Sequence, residues 1–265
     1  MKSNKPLQLV QITDPHLHAS LDGTLLGLTT QFSLDLVLDQ IRKEHHGLDV
    51  VIGTGDIAQD SSTEAYRRFR SILEGFGCEN RWCPGNHDVV ENMKEAANGS
   101  DLDNPILEIG EWVIVLLNSA VPGKVYGRFA DDQLELLENT LNQYSDKHVL
   151  VTFHHHPIEM GSVWIDKQRI KNGDDLVALV EKHNNVRAVV WGHVHQETDR
   201  IINGVRYIST PSTCVQFTPG KTDFDIDKAA PGYRWFKLHE DGGIETGVSR
   251  IEGVDFEIDY SVKGY

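Results

Sequence analysis

Cysteine is scarce in this chain. Cys78, Cys83 and Cys214 are the only three among 265 residues. They form an odd number without a repeating spacing, so neither a disulfide framework nor a cysteine-type zinc site is indicated. All three read as small buried apolar side chains. Long apolar runs are also missing: no stretch approaches the roughly 20 residues of a membrane span. Met1 to Pro6 carries no apolar signal region before the strand-like Leu7 to Ile12, so a soluble, cytoplasmic protein is expected. Basic charge is short, with 25 Lys+Arg against 40 Asp+Glu and a net charge of −15. That balance repels a polyanionic backbone and argues against a general nucleic-acid or anionic-membrane binder. Repeats, low-complexity tracts and Pro/Gly/Ser-rich linkers are absent as well, so residues 1–265 are expected to form one domain.

What is there alternates in type. Leu7 to Thr13 reads as a buried strand, and Thr30 to His45 as a helix with Leu34, Val37, Leu38 and Ile41 on one face. The pattern recurs with a strand over Leu48 to Gly53, a helix over Ser62 to Phe76 opened by Ser-Ser-Thr-Glu, and a short strand over Asn80 to Pro84. Trp112 to Asn118 and Val149 to Phe153 are continuous apolar runs of central-strand length, with a helix from about Ala130 to Tyr144 between them. A short helix over Asp174 to His183 leads into a strand over Arg187 to Trp191. Beyond it, Asn203-Gly204 and Asp241-Gly242-Gly243 separate alternating segments as hairpin turns do. The whole predicts a layered α/β fold whose last third is a second, largely antiparallel sheet.

The metal-capable residues fall just past the ends of these strands. Asp14 and His16 follow the first, Asp56 and Asp60 the second, and Asn86, His87 and Asp88 the third. His154, His155 and His156 follow the strand ending at Phe153, and His193 and His195 the one ending at Trp191. Ligands of open α/β sheets bind outside the carboxyl ends of the strands, so these segments are expected to converge on one crevice. Asp14-x-His16 and His193-x-His195 put donors on alternate residues, which in an extended segment point the same way. Gly53-Thr54-Gly55-Asp56 leaves a carboxylate where the chain turns sharply, suited to bridging two cations. Asp60 reads as an outer orienting group or a cap at the start of the next helix. In Gly85-Asn86-His87-Asp88, an amide oxygen can bind a cation, His87 can reach substrate, and Asp88 can orient that imidazole. Three consecutive histidines cannot all be buried and satisfied cheaply, so at least one is expected to be a ligand. A metal cluster would also supply the local positive charge that an anionic substrate needs in so acidic a chain.

In order and spacing, this set resembles the calcineurin-like metallophosphoesterases. Along nearly the whole chain the resemblance extends to the bacterial class III 3',5'-cyclic AMP phosphodiesterases, with closer marks in Gln11 to Asp14, Gly55 to Asp60, the triple His before Pro157, Pro211 to Phe217 and Ala230 to Tyr233. The resemblance implies a four-layer α-β-β-α sandwich, two mixed sheets flanked by helices, and a pair of iron or manganese ions. One ion would take Asp14, His16 and His195, the other Asn86, His154 and His193, with Asp56 between them. Within the triple His, alignment from the strand side favours His154, whereas counting back from Pro157 favours His155, which otherwise supports the site from outside the ligand set. Asn118 stands where relatives commonly have Asp.

The implied reaction is hydrolysis of cyclic AMP to 5'-AMP by a hydroxide bridging the two ions, with His16, Asp56, Asn86, His87 and His195 touching substrate and His87, oriented by Asp88, as general acid. The rivals are another phosphodiesterase or phosphatase specificity, since metal motifs fix the reaction more than the substrate, and an interaction scaffold on the same fold. A scaffold is expected to have lost ligands, and none of the seven is missing. Phe217 and Trp164 are candidate walls of a nucleobase pocket.

Overall fold

The computed structural model describes residues 5–264. In chain order the strands and helices are β1 (Leu7–Ile12), β2 (Thr24–Leu25), β3 (Leu28–Thr29), α1 (Thr30–Glu44), β4 (Val50–Thr54), α2 (Thr63–Glu74), β5 (Glu79–Cys83), α3 (Val90–Ala97), β6 (Ile106–Ile109), β7 (Trp112–Leu116) and α4 (Asp131–Gln143). They continue with β8 (His148–Phe153), α5 (Val163–Asp166), α6 (Gly173–Glu181), β9 (Val186–Trp191), β10 (Thr198–Ile202), β11 (Val205–Ser209), β12 (Gln216–Phe217), β13 (Ile226–Asp227), β14 (Gly232–Leu238) and β15 (Ile244–Arg250). The expected helices recur within two residues at each end. Ser62 caps α2 by accepting from the amide of Ala65.

Two mixed sheets carry the architecture. The first runs β15-β14-β1-β4-β5 and the second β10-β11-β9-β8-β7-β6. In the first, β1, β4 and β5 are parallel; in the second, β7, β8, β9 and β11 are parallel. The parallel strands are buried on both faces, which is why they read as unbroken apolar runs. Leu9, Val50, Ile52, Trp112, Ile114, Leu150, Val190 and Phe236 fill the space between the sheets. On the outer face of the first sheet, Val10, Ile12 and Val51 pack against Leu34, Val37, Leu38 and Ile41 of α1 and Tyr66 and Phe69 of α2. On that of the second, Val113, Val151 and Val189 pack against Leu137 and Leu141 of α4 and Leu176 and Val180 of α6. The layers are therefore helix, sheet, sheet, helix. Each such fully buried side chain contributes about 1.5–3 kcal/mol before conformational entropy opposes it.

The expectation of a separate antiparallel sheet in the last third is corrected. The hairpin of β10 and β11 extends the second sheet beside β9, and the hairpin of β14 and β15 crosses to the first sheet and pairs antiparallel with β1. Both turns are hairpin turns as expected: Asn203 and Gly204 sit at φ 50° and 86° between β10 and β11. None of the helices of the described residues is long and apolar enough to cross a membrane.

Candidate metal centre

Five of the expected donor residues leave their strands in the left-handed backbone region: Asp14, His16, Asp56, His193 and His195 have φ of 52°, 47°, 48°, 63° and 48°. The side chains of Asp14 and His16, and of His193 and His195, thus converge through tight left-handed turns, not through the alternation of an extended strand. Such a conformation costs of order 1–3 kcal/mol per non-glycine residue and persists only where the surroundings enforce it. Here the turns after β1 and β4 brace each other: the amides of Asp14, His16 and Leu17 donate to the carbonyls of Gly55, Asp56 and Ile57 at 3.1, 3.0 and 2.8 Å. Glycine is required where the chain passes the donors. A Cβ on Gly85 would lie 2.2 Å from Asp56 Oδ1, and one on Gly192 would lie 2.1 Å from Thr13 Oγ1 and 2.6 Å from Asp14 Oδ2.

The donor atoms face one another. His195 Nε2 is 3.2 Å from Asp14 Oδ1 and 3.3 Å from His16 Nε2. His154 Nε2 is 3.2 Å from Asp56 Oδ2 and 3.2 Å from Asn86 Oδ1. Asp56 stands between these groups, with Oδ2 also 3.9 Å from His16 Nε2. Its other oxygen is held by the amide of His87 at 2.9 Å. His193 brings its ring within 5.0 Å of His154, and its buried Nε2 has no hydrogen-bond partner among the described residues.

This donor set fits cations. The Nδ1 atoms of His16, His154 and His195 are engaged by the oxygen of Gln59, the carbonyl of Thr54 and the carbonyl of Val215, at 2.6, 2.9 and 2.7 Å. Oxygens of that kind accept, so each Nδ1 carries a proton and each Nε2 points inward, with a free lone pair wherever the ring is neutral. Lone pairs aimed at carboxylates, an amide oxygen and each other repel unless positive charge lies among them. Asp14, His16 and His195 form one group able to hold an ion, Asp14, Asp56 and His154 a second, and His154, His155 and His193 a third. The electrostatics agree. Burial holds His16 down to about 3 and His193 well below the usual histidine range, leaving both neutral as ligands must be. Burial opposes ionisation of Asp56, yet His154, His87 and His16 keep it well below the carboxylate range; Asp14 is lowered by His195 and His154 against the same burial. For His154 burial works against the charge, but Asp56 and Asp14 push it up to about 9.

Several neighbours brace the donors. Asp88 spans two turns, accepting from the amides of Ile57, Ala58 and Gly85 at 3.0, 3.0 and 2.8 Å, so its carboxylate ties the Asp56 turn to the Asn86 turn. Burial and Asp56 raise it to about 6. Asp60, at the protein surface, accepts from the amides of Ala19 and Ser62 and fastens the loop after His16 to the start of α2. His155 Nδ1 meets Ser119 Oγ at 2.9 Å, and its unpartnered Nε2 faces the His193 side, so both His154 and His155 approach that imidazole. It is His154 that meets Asp56 and Asn86. Asn118 Oδ1 accepts from the amide of Ala120 and closes a turn away from the donors.

Sequence reasoning missed the supports: Gln59, the carbonyls of Thr54 and Val215, and the stacking of Phe217 on His195 at 4.2 Å between centroids and 12° between planes. Gln59, within Gly55 to Asp60, was the one with a signal. Phe217 is 1% exposed and lies beneath His195, so it is not itself a wall open to ligand.

Two mixed sheets with a His, Asp and Asn cluster at their carboxyl ends define a metallophosphoesterase, and the chain belongs to the calcineurin-like phosphoesterase family, which residues 7–197 match. More particularly, it is 44% identical over 257 residues to the 3',5'-cyclic adenosine monophosphate phosphodiesterase CpdA of Pseudomonas aeruginosa, covering 97% of this chain and 94% of that one. The CpdA of Escherichia coli K12 is 39% identical over 98% of this chain and 95% of its own. Among solved structures, a dimetal phosphatase from Danio rerio shares the fold at a TM-score of 0.64 and 16% identity, covering 93% of this chain and 99% of that one. A purple acid phosphatase from yellow lupin does so at a TM-score of 0.64 and 13% identity, over 93% of this chain and 54% of its own.

Proposed function

We propose that this chain hydrolyses 3',5'-cyclic AMP to 5'-AMP with a pair of divalent or mixed-valence ions, iron or manganese. The observation that carries the reading is the convergence of seven donors, Asp14, His16, Asp56, Asn86, His154, His193 and His195, around a carboxylate that belongs to groups on both sides. In this reading one ion is held by Asp14, His16 and His195, the other by Asn86, His154 and His193, and Asp56 spans them. A bound pair would supply a hydroxide nucleophile from water and neutralise phosphoryl charge.

The chain's own residues do the rest. The water oxygen joins phosphorus, the bond from phosphorus to O3' breaks, and O3' must take a proton. His87 delivers it: its backbone amide is fixed to Asp56, and its ring sits against His16 at 5.1 Å, at the edge of the cluster where a leaving oxygen can reach it. His16, Asp56, Asn86 and His195 would reach the phosphoryl group through the ions that they hold. Substrate choice rests on the two CpdA relatives and their near full-length identity.

The test is product identity. Metal-loaded protein is offered cyclic AMP, cyclic GMP, 2',3'-cyclic nucleotides and an aryl phosphodiester, and the products are separated chromatographically. Release of 5'-AMP alone from cyclic AMP, at the highest kcat/KM of the panel, is expected. Preferred turnover of a 2',3'-cyclic nucleotide, or release of 3'-AMP, would contradict the reading.

A further inference from the structure

Beside the metal centre, on the His87 side, lies a cleft of about 140 Å³ lined by Asn86, His87, Val125, Trp164, Gln168, Phe224 and Gly264. Its character differs from that of the donor cluster. It offers an aromatic wall and, besides Asn86 of the donor cluster, the amide of Gln168, and it has no Lys or Arg among these lining residues. Trp164 is half-buried and locked by edge-to-face contacts, with its ring 5.1 Å and 74° from Phe224 and 5.1 Å and 79° from the buried Phe217. The Gln168 side chain is half-buried and makes no hydrogen bond to any described residue, whereas its backbone is fixed by the amide of Gly127 and the carbonyl of Ile165. A rigid aromatic platform with an uncommitted amide beside it suits a flat, polar-edged ring far better than it suits a phosphate.

We propose that this cleft is the nucleobase subsite, with Trp164 stacking on the purine, Phe224 buttressing the Trp164 ring edge-to-face, and Gln168 reading the purine edge. The assignment rests on the cyclic AMP reading above and gives it a selectivity mechanism. If His87 protonates the departing O3', the sugar lies on the His87 side, and the base attached to that sugar falls next to the cleft. The Gln168 amide can accept from the adenine amino group and donate to N7, a bidentate pair that guanine, with acceptors at both positions, does not complete. Trp164 therefore sets affinity for a base of any kind, and Gln168 sets adenine over guanine.

The experiment compares cyclic AMP, cyclic GMP and methyl riboside 3',5'-cyclic phosphate, which lacks only the base, on the metal-loaded wild type and on Trp164→Ala, Trp164→Phe and Gln168→Ala. Trp164→Ala is expected to lose kcat/KM on cyclic AMP roughly 5- to 100-fold more than on the abasic compound, chiefly through KM, with Trp164→Phe recovering most of the difference. Gln168→Ala is expected to narrow the ratio of cyclic AMP to cyclic GMP by about tenfold. Equal losses on cyclic AMP and the abasic compound would overturn the subsite, since a merely structural Trp164 affects both alike. Should Trp164→Ala fail to fold, the surface-side Gln168→Ala still decides, and an unchanged nucleotide ratio there overturns the proposal. Wild type that cleaves bis(4-nitrophenyl) phosphate but none of the three cyclic compounds would instead defeat the cyclic AMP reading, and the subsite with it.

Discussion

The backbone amide of His193 donates to both carboxylate oxygens of Asp14, at 3.1 and 3.0 Å. Asp14 follows β1 of the first sheet and His193 follows β9 of the second, so this bond crosses the seam between the sheets at their carboxyl ends. The same carboxylate accepts from Thr13 Oγ1 and faces His195 Nε2. Ligand geometry and the docking of the two sheets are therefore one problem, and substitutions that separate them are informative.

Asp14→Asn keeps an oxygen for the His193 amide but removes the charge. The variant is expected to fold, with manganese affinity lowered by roughly 100-fold or more, since even outer partners of ligands are worth 10–100-fold. Calorimetric titration with Mn²⁺, alongside circular dichroism of the same samples, measures both quantities.

Metal affinity should rise with pH. In metal-free protein His154 is raised to about 9 by Asp56 and Asp14 against burial, so its imidazolium competes with a cation for the same lone pair. Each pH unit between about 6.5 and 9 should then strengthen Mn²⁺ binding by up to tenfold. The stability linkage has the opposite sign: a raised histidine stabilises the metal-free fold fully below 6.5, and that contribution is lost as pH rises through about 9. Urea unfolding of metal-free protein from pH 6 to 9 should show this decline, and His154→Asn should abolish the slope that this group contributes.

Phe217→Leu leaves the Val215 carbonyl to hold His195 but removes the stacked ring beneath it. A loss of about 1–3 kcal/mol in stability is expected from the reduced packing. Mn²⁺ affinity should fall several-fold as the His195 ring gains freedom. Metal-loaded and metal-free thermal unfolding, run side by side, separates the two effects.

His87→Ala should leave metal content close to that of the wild type and slow cyclic AMP turnover by about 10²–10⁴-fold. Its backbone amide, which holds Asp56, survives the substitution. Metal analysis and kcat on one preparation make the test; a variant that loses its metals would make His87 a ligand.

Much of this centre was legible because its residues sit in short segments bounded by glycine just past apolar runs. Gly85 and Gly192 mark turns with no room for a Cβ, and buried parallel strands announce themselves as unbroken Val, Ile and Leu. Less legible was anything decided by distant partners. The alternation in β10 to β15 reports half-burial but not which sheet each hairpin joins. The eight-residue α3 is too short for its period to stand out. Asp88 accepts from the amides of Ile57 and Ala58, some thirty positions earlier, and nothing local to Asp88 encodes that tie. Phe217 reaches His195 from a segment 22 positions on, and no local pattern encodes that stacking.

The most direct test of the two-ion account is a titration of metal-stripped protein with Mn²⁺ while bound metal and cyclic AMP hydrolysis are followed together. The account predicts saturation at two ions per chain, with 5'-AMP appearing as the second site fills. Full activity with a single ion, or two tightly bound ions without hydrolysis of cyclic AMP, would contradict it.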